Sequence, residues 1–188
     1  MEISLIRHGR STCTENTRMS SENFKEWVRK YDESGVFEED SYPVKSIEKI
    51  TAANILVTSD LNRSVASMRL LKPNGSAHSN AIFRETELPI PLTKVVKLKA
   101  TTWALILRCL WFLGYSRDCE SVGAAKKRAK VAAELLGGDA KKHTSVVLVG
   151  HGFFNRFIAQ ELRKMGWKGK KQPSSKHWYC TTYTITDE

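Results

Sequence analysis

Three short apolar runs stand out along the chain. Residues 3–6 are largely apolar and β-branched at two positions, Ile55 to Val57 lie within the second run at 54–60, and residues 145–149 form the third. Runs of about four to eight such residues are typical of strands that are buried in a sheet. The pattern therefore predicts three strands at 3–6, 54–60 and 145–149.

Helical patterns follow the second and third of these runs. Residues 61–71 place Leu61, Val65 and Met68 on one face and stop before the turn signal Pro73-Asn74-Gly75, and residues 153–166 follow the third run. Strands that alternate with helices indicate an α/β domain with a largely parallel sheet. We therefore predict a three-layer α/β sandwich.

Other segments have weaker patterns. An Ala-rich helix is predicted at 122–136, closed by Gly137-Gly138. The alternating, β-branched stretch 177–188 is expected to form a last strand, antiparallel at an edge of the sheet. Residues 20–50 are polar and acidic, and 83–92 form a proline-marked loop.

The segment 101–113 is apolar on every side except near Arg108. Such a helix is usually buried, and the alternatives are a lid over an apolar part of a substrate or an oligomer interface, as in a homodimer. Residues 101–115 are shorter than the ~20 residues that a membrane span needs, so no membrane span is expected.

Composition narrows the class of protein. The chain has 188 residues and 41% hydrophobic content, which suits one ordinary domain. We see no secretory signal after Met1 and no Cys-x-x-Cys or zinc-finger spacing among the four cysteines, so a cytoplasmic protein with reduced thiols is expected.

The formal net charge of +10 favours anionic partners. Much of the excess lies in 124–130 and 163–176, which we interpret as a solvated helix face and a mobile loop. Specific nucleic-acid binding is not expected, although tight binding to duplex DNA at physiological salt would favour it.

Two His-Gly pairs lie where predicted strands end. Arg7-His8-Gly9 follows the first strand and Gly150-His151-Gly152 the third, with Arg156 a turn later. Ligands of open parallel sheets bind beyond the carboxyl ends of the strands. A glycine there lets backbone N–H groups approach the ligand, and the N-terminus of the helix that follows favours an anion. These residues predict a phosphate site.

Arginine and histidine suit phosphoryl chemistry. Arg7 and Arg63 offer planar forks that match phosphate oxygens. Nearby guanidinium charge lowers the pKa of His8, which keeps the imidazole neutral and nucleophilic. Arg10 has no assigned role.

The chain resembles the histidine phosphatase superfamily, which has the phosphoglycerate mutase-like fold. The resemblance rests on Arg7-His8-Gly9, on Ser59-Asp60-Leu61-Asn62-Arg63 after a strand, and on Gly150-His151-Gly152, in the order typical of that family. It covers nearly the whole chain. It implies a single catalytic domain over 1–188, with a helical cap inserted around 86–121.

The resemblance also implies a role for each matched residue. His8 would be the nucleophile that becomes phosphorylated, and Arg7, Arg63 and His151 would hold the phosphoryl oxygens. Ser11 stands where the family often has a hydroxyl toward the phosphate. No cofactor is implied, and no metal is expected, because Arg7 would oppose a cation and no further ligand set accompanies the histidines.

The leaving oxygen needs a proton, which this family usually takes from an acidic residue between the second and third motifs. Glu85 in FRETEL matches that position and would act as general acid and then as general base, with Glu87 as the alternative. The glycine-rich segment that often follows the acid is absent, and Thr14 stands where the longer pattern has asparagine. His78, His143 and His177 are interpreted as surface residues.

The implied activity is that of a histidine acid phosphatase-type phosphomonoesterase acting on a small phosphorylated substrate. The chain lacks the extra arginines of the longer mutases after the acid, so hydrolysis is favoured over phosphoglycerate mutase-type transfer. The same residues would also suit a phosphohistidine protein phosphatase or a non-catalytic phosphate-binding domain.

Overall fold

The protein is described from a computed structural model over residues 1–90 and 95–186. Its strands are β1 (Glu2–Arg7), β2 (Arg18–Met19), β3 (Ile55–Thr58), β4 (His78–Ser79), β5 (Leu98–Lys99), β6 (Ser145–Gly150) and β7 (Cys180–Thr184). Its α-helices are α1 (Ser21–Glu33), α2 (Val44–Ala52), α3 (Asn62–Leu71), α4 (Ala100–Phe112), α5 (Val122–His143) and α6 (Gly152–Lys164), and a 3-10 turn spans Ala81–Phe83.

Five strands form the central sheet in the order β4-β3-β6-β1-β7. The first four are parallel, and β7 pairs antiparallel with β1 at the edge. The three strands predicted from apolar runs and the antiparallel last strand are thereby confirmed. Because β6 lies between β3 and β1, the chain crosses the sheet through helices between these strands.

Alternating strand residues bury both faces of the sheet. Ile3, Leu5 and Leu148 face a cluster with α5 and α6, whereas Ile6 and Val147 face a cluster with α2 and α3. A sheet covered by helices on both faces is the predicted three-layer α/β sandwich.

Helix α5 is longer than predicted. Gly137-Gly138 does not end it, and the helix continues to His143 before Thr144 turns the backbone at φ 65°. Gly137 is buried, and a Cβ there would lie 3.3 Å from Met165 Cε. This glycine therefore permits close packing within the helix, which explains why the prediction of a helix end at 136 was wrong.

Two helices form where the sequence showed only a polar stretch. Helix α1 begins at the cap Ser20, whose hydroxyl accepts a hydrogen bond from Asn23 N, and α2 follows Pro43. Phe24 of α1 packs with Trp103 and Leu107 of α4 in an apolar cluster beside the main core. The predicted cap, 86–121, includes α4 and residues 91–94, which lie outside the described residues.

The expectation that the apolar helix at 101–113 is buried holds for one face only. Trp103, Leu107 and Trp111 are buried, but the opposite face exposes large apolar side chains: Leu105, Ile106, Leu110, Phe112 and Leu113. Arg108 lies on the buried side, because its guanidinium donates to the Thr86 hydroxyl and carbonyl and stacks on two aromatic rings. Within the described ranges, no helix combines the length and the apolar character that a membrane span requires.

Adjacent leucines on α5 provide a test of this packing. Leu136 is 0% exposed and Leu135 is 45% exposed. Replacing Leu136 with alanine leaves a cavity between α5 and the sheet, so we expect the free energy of unfolding in urea to fall by about 2–5 kcal/mol. Leu135→Ala should change it by about 0.5 kcal/mol or less. Equal losses in the two variants would contradict the described orientation of α5.

Candidate active site

The carboxyl ends of β1, β3 and β6 meet at one edge of the sheet. Arg7 pairs with Gly150 and Thr58 with Val149, so the residues that follow these strands come together. The His8 and His151 ring centroids lie 5.0 Å apart, and both side chains are buried. The structure thus brings the two predicted histidines into one site.

The hydrogen bonds of His8 fix its tautomer. Its Nδ1 lies 2.7 Å from the carbonyl oxygen of Gly9, which can only accept, so Nδ1 carries the proton. In the neutral ring, Nε2 therefore has a free lone pair. Burial, followed by the charges of Arg63 and Arg7, holds the pKa of His8 well below its usual 6.5. The imidazole is neutral at physiological pH and suited to nucleophilic attack.

His151 forms the N-cap position of α6 and is fully buried. Its Nε2 lies 2.6 Å from the Ser59 hydroxyl oxygen, which also accepts from Leu61 N. When Ser59 donates to Nε2, the proton of His151 is on Nδ1, which is buried and has no hydrogen-bond partner among the described residues. Burial and the neighbouring His8, Arg63 and Arg7 hold the pKa of His151 well below 6.5.

Arg7 lies beside both histidines. Its Nε is buried without a partner in the described part of the chain, while NH1 donates to the Ser175 carbonyl. A Cβ on Gly152 would lie 3.3 Å from this Nε, so glycine leaves room for the guanidinium. Burial lowers the pKa of Arg7, and nearby Arg156 and Arg63 lower it further.

Arg63, predicted to hold phosphate, also binds a carboxylate of this chain. The guanidinium is almost completely buried, donates to Asp32 Oδ1 at 2.8 Å, and stacks over the Tyr31 ring at 4.7 Å. Its Nε is buried and has no partner among the described residues. Helix α1 therefore adds an acidic and an aromatic side chain to the site that the sequence did not predict.

Arg156 is a third guanidinium in this region, close enough to Arg7 to lower the pKa of that residue. It lies on the first turns of α6, stacks over Phe153 at 5.2 Å, and has a buried Nε with no partner in residues 1–90 and 95–186. In the sequence it lies one turn after Gly152, but no role was predicted for it. Its spacing of five residues from His151 was the available signal.

The predicted acid, Glu85, lies at the start of α6. Its carboxylate accepts hydrogen bonds from the backbone amides of Phe153 and Phe154, at 3.0 and 2.9 Å, and from Thr86 N. An acidic group at a helix N-terminus is favourable. Glu87 is exposed, so only Glu85 lies among the site residues.

Ser11 is buried close to the Arg-His-Gly motif, but its hydroxyl oxygen accepts a hydrogen bond from Cys13 N at 3.2 Å. It forms an isolated bridge with Val36. Arg10 is exposed and lies over the Phe37 ring at 4.7 Å. These contacts stabilise the turn after His8.

The interpretation of His177 as a surface residue is wrong. Its ring centroid lies 5.5 Å from that of His8, and the side chain is half-buried. The segment before β7 folds back across the Arg-His-Gly motif, which a polar loop pattern does not reveal. His78 and His143 are exposed as expected.

Over residues 1–90 and 95–186, no group of three or more His, Cys, Asp or Glu side chains is placed to hold a metal ion.

Comparisons with known proteins find likeness in structure. No protein-family model matches the chain, and no curated protein matches its sequence. An Escherichia coli protein described as a putative alpha-ribazole-5'-P phosphatase superposes with a TM-score of 0.61 at 10% identity, over 99% of this chain and 91% of that chain.

Two further solved structures are similar. A mycobacterial glucosyl-3-phosphoglycerate phosphatase has a TM-score of 0.54 at 19% identity, over 87% of this chain and 79% of its own. An Entamoeba histolytica phosphoserine phosphatase with bound 3-phosphoglyceric acid has a TM-score of 0.55 at 14% identity, over 96% and 89%. These likenesses confirm the predicted fold, an α/β sandwich of the phosphoglycerate mutase-like kind.

The buried histidines make stability depend on pH. Because the pKa values of His8 and His151 lie well below 6.5 in the folded protein, the unfolded chain binds more protons as pH falls below 6.5. The free energy of unfolding should therefore fall on acidification from pH 7 to 5, by about 1–2 kcal/mol for each histidine.

Urea denaturation across this pH range measures the effect. His151→Gln should reduce the pH dependence of the free energy of unfolding. An unaltered slope in His151→Gln would show that this histidine titrates normally in the folded protein.

Proposed function

We propose that this protein is a histidine acid phosphatase-type phosphomonoesterase that hydrolyses a small phosphate ester through a phosphohistidine on His8. The observation that carries the proposal is a set of buried donors without partners around a neutral imidazole. They are the Nε atoms of Arg7, Arg63 and Arg156 and, in the tautomer that Ser59 favours, Nδ1 of His151. Buried polar groups are rarely left unpaired, so such a set suits an incoming anion.

A phosphate monoester is an anion that can bind to these donors. Its oxygens can accept from guanidinium groups in charge-assisted hydrogen bonds, and the low dielectric of a buried site strengthens them. His8 Nε2 would attack phosphorus as the bond to the leaving oxygen breaks. Arg7, Arg63, Arg156 and His151 would stabilise the charge on the phosphoryl oxygens in the transition state.

The similar solved structures support this choice of reaction. The three compared above are named as phosphatases of small phosphorylated compounds. A shared fold alone does not determine an activity, so the proposal depends on the site residues and not on the fold. The printed names of these proteins, rather than the shared fold, favour hydrolysis over phosphoryl transfer between two positions of one substrate.

Removing the nucleophile should abolish turnover. We expect His8→Ala to lower kcat/KM for a generic ester such as p-nitrophenyl phosphate by about 10⁴-fold or more, because Nε2 forms the intermediate. A metabolite screen for phosphate release, with labelled substrate to detect an acid-labile phosphoprotein, measures both activity and intermediate. His143→Ala is the matched control. Activity of His8→Ala at the parent rate would refute the proposed function.

For the leaving-group proton, we propose Glu85 because it lies at the N-terminus of α6 beside His151, whereas Glu87 is exposed. Glu85→Gln should lower kcat for an alkyl phosphate by about 10²–10⁴-fold. The loss should be far smaller for p-nitrophenyl phosphate, whose leaving group departs without a proton. Glu87→Gln is the control, and an equal loss on both substrates would contradict proton donation by Glu85.

A further inference from the structure

Helix α4 has an exposed apolar face that carries no charged side chain. The single charged residue of the helix, Arg108, lies on the buried side. The large apolar side chains that are 39% to 83% exposed on this helix and at its end are Leu105, Ile106, Leu110, Phe112 and Leu113. Single exposed apolar residues are common on protein surfaces, but a contiguous group of them marks a binding surface. This face therefore suits an apolar ligand.

Helix α4 is fixed beside the proposed acid, Glu85. Arg108 donates to the hydroxyl and to the carbonyl of Thr86, the next residue in the chain, at 2.7 and 2.8 Å. The same guanidinium lies 4.7 Å from the centroid of the Phe153 ring. Buried hydrogen bonds of this kind make a structure rigid, so they set the position of α4 relative to the site.

Phe153 connects the site to the apolar face of α4. Its backbone N donates to Glu85 Oε2 at 3.0 Å, and its ring centroid lies 6.2 Å from that of Phe112, within the range of aromatic pairs. The Arg156 guanidinium, which we propose to hold phosphoryl oxygens, lies 5.2 Å from the same ring. Phe153 is partly exposed, and Phe112 is 49% exposed. The two rings therefore form an aromatic surface that extends from the acid to the outer face of α4.

The Tyr31 side chain of α1 adds a further aromatic ring to the site. The ring lies 4.7 Å from the Arg63 guanidinium and stacks on Trp27 at 5.2 Å. Burial raises the pKa of its phenol, which the charges of Arg63, Arg7 and Glu85 also influence. Aromatic side chains from two different helices, α1 and α6, thus lie near the same acid.

The alcohol part of a bound ester would lie next to these rings. In the proposed reaction, Glu85 gives a proton to the leaving oxygen, so the carbon bonded to that oxygen lies within about 5 Å of the carboxylate. Phe153 is the aromatic residue that this carboxylate contacts directly. Hydroxyl groups buried without hydrogen-bond partners are unfavourable, so hydrocarbon fits this surface better than a sugar does.

We infer that the substrate is a phosphate monoester of an apolar alcohol, whose hydrocarbon part lies on Phe153 and Phe112 and extends along the exposed face of α4. This inference rests on the proposed function and narrows its substrate class. Contact between the alcohol and the face removes hydrocarbon of both from water, which stabilises the complex. The reaction at phosphorus is the same for every ester, because the nucleophile and the acid do not change.

The inference predicts that kcat/KM increases with the length of the alcohol. Primary alkyl phosphates from ethyl to octyl, assayed below the concentrations at which they form micelles, share one leaving-group chemistry and differ only in hydrocarbon. We expect kcat/KM to rise by up to about fourfold for each added methylene, the factor for complete burial, and to level off once the chain extends past the face. Glycerol phosphate, a polar ester of similar size to butyl phosphate, should be hydrolysed less efficiently than butyl phosphate.

A variant of α4 tests where the hydrocarbon lies. Phe112→Ser should lower the ratio of kcat/KM for octyl phosphate to that for ethyl phosphate by about tenfold, because the aromatic contact is lost. Leu135→Ser is the matched control, since Leu135 is 45% exposed but lies on α5. This control should keep the parent ratio. An equal fall of the ratio in both variants would contradict the assignment of the α4 face.

Alkylphosphonates test binding without turnover. Their C–P bond resists hydrolysis, so calorimetric titration measures the Kd directly. Octylphosphonate should bind to the parent protein about tenfold more tightly than ethylphosphonate, or better, and Phe112→Ser should remove most of this difference. Equal Kd values for the two phosphonates, with ester hydrolysis independent of chain length, would overturn the inference and leave the proposed function intact. Retained hydrolysis by His8→Ala would instead refute the proposed function.

The alternative occupant of the α4 face is a second copy of the chain. Sedimentation equilibrium should give the same molecular mass for the parent and for Phe112→Ser. A parent dimer that Phe112→Ser dissociates, together with a kcat/KM that does not depend on chain length, would show that the face joins two copies and would overturn the inference.

Discussion

The parallel pairing of β1 with β6 is the constraint on which the site depends. It places Arg7 opposite Gly150, so that His8 and His151 leave the sheet side by side. His8 N also donates to the Gly150 carbonyl, which extends the pairing one residue into the site. Parallel neighbours require a crossover connection, and the helices that provide it also cover both faces of the sheet. The same arrangement that builds the core therefore brings two distant motifs together.

Gathering several arginines beside two buried histidines is electrostatically costly. The chain offsets part of this cost with its own carboxylates, because Asp32 accepts from Arg63 and Glu85 accepts from the first amides of α6. The imidazoles contribute by remaining neutral, with pKa values well below 6.5. A bound phosphate would compete with these internal anions for the same kind of donor. The exposure of Asp32, at 44% of its side chain, makes it the carboxylate that can most readily yield to a ligand.

Local sequence patterns predicted the elements that depend on residues close together in the chain. Apolar runs located the sheet strands β1, β3 and β6, the alternating β-branched stretch located β7, and the His-Gly pairs located both ends of the site. The end of α5 was not predictable, because Gly137 is tolerated there only through packing with Met165 from another segment. The partners of Arg63 and the position of His177 were not predictable either, because they depend on residues that are distant in sequence. Asp32 lies 31 residues from Arg63 in sequence, and His177 lies 169 residues from His8.

The solved structures share this fold at 10–19% identity, and no family model matches the sequence. Such divergence is understandable when few positions are fixed by chemistry. Under the proposed function, His8, His151 and the arginines around them need a fixed geometry, whereas the covering helices need only suitable volume and apolar character. The turn at Trp178 is a different case, because a bulky residue at positive φ is sterically unfavourable unless its contacts enforce it. Its contacts are with Arg7 and Gly9, so the segment that closes this site is matched to the motif that opens the chain.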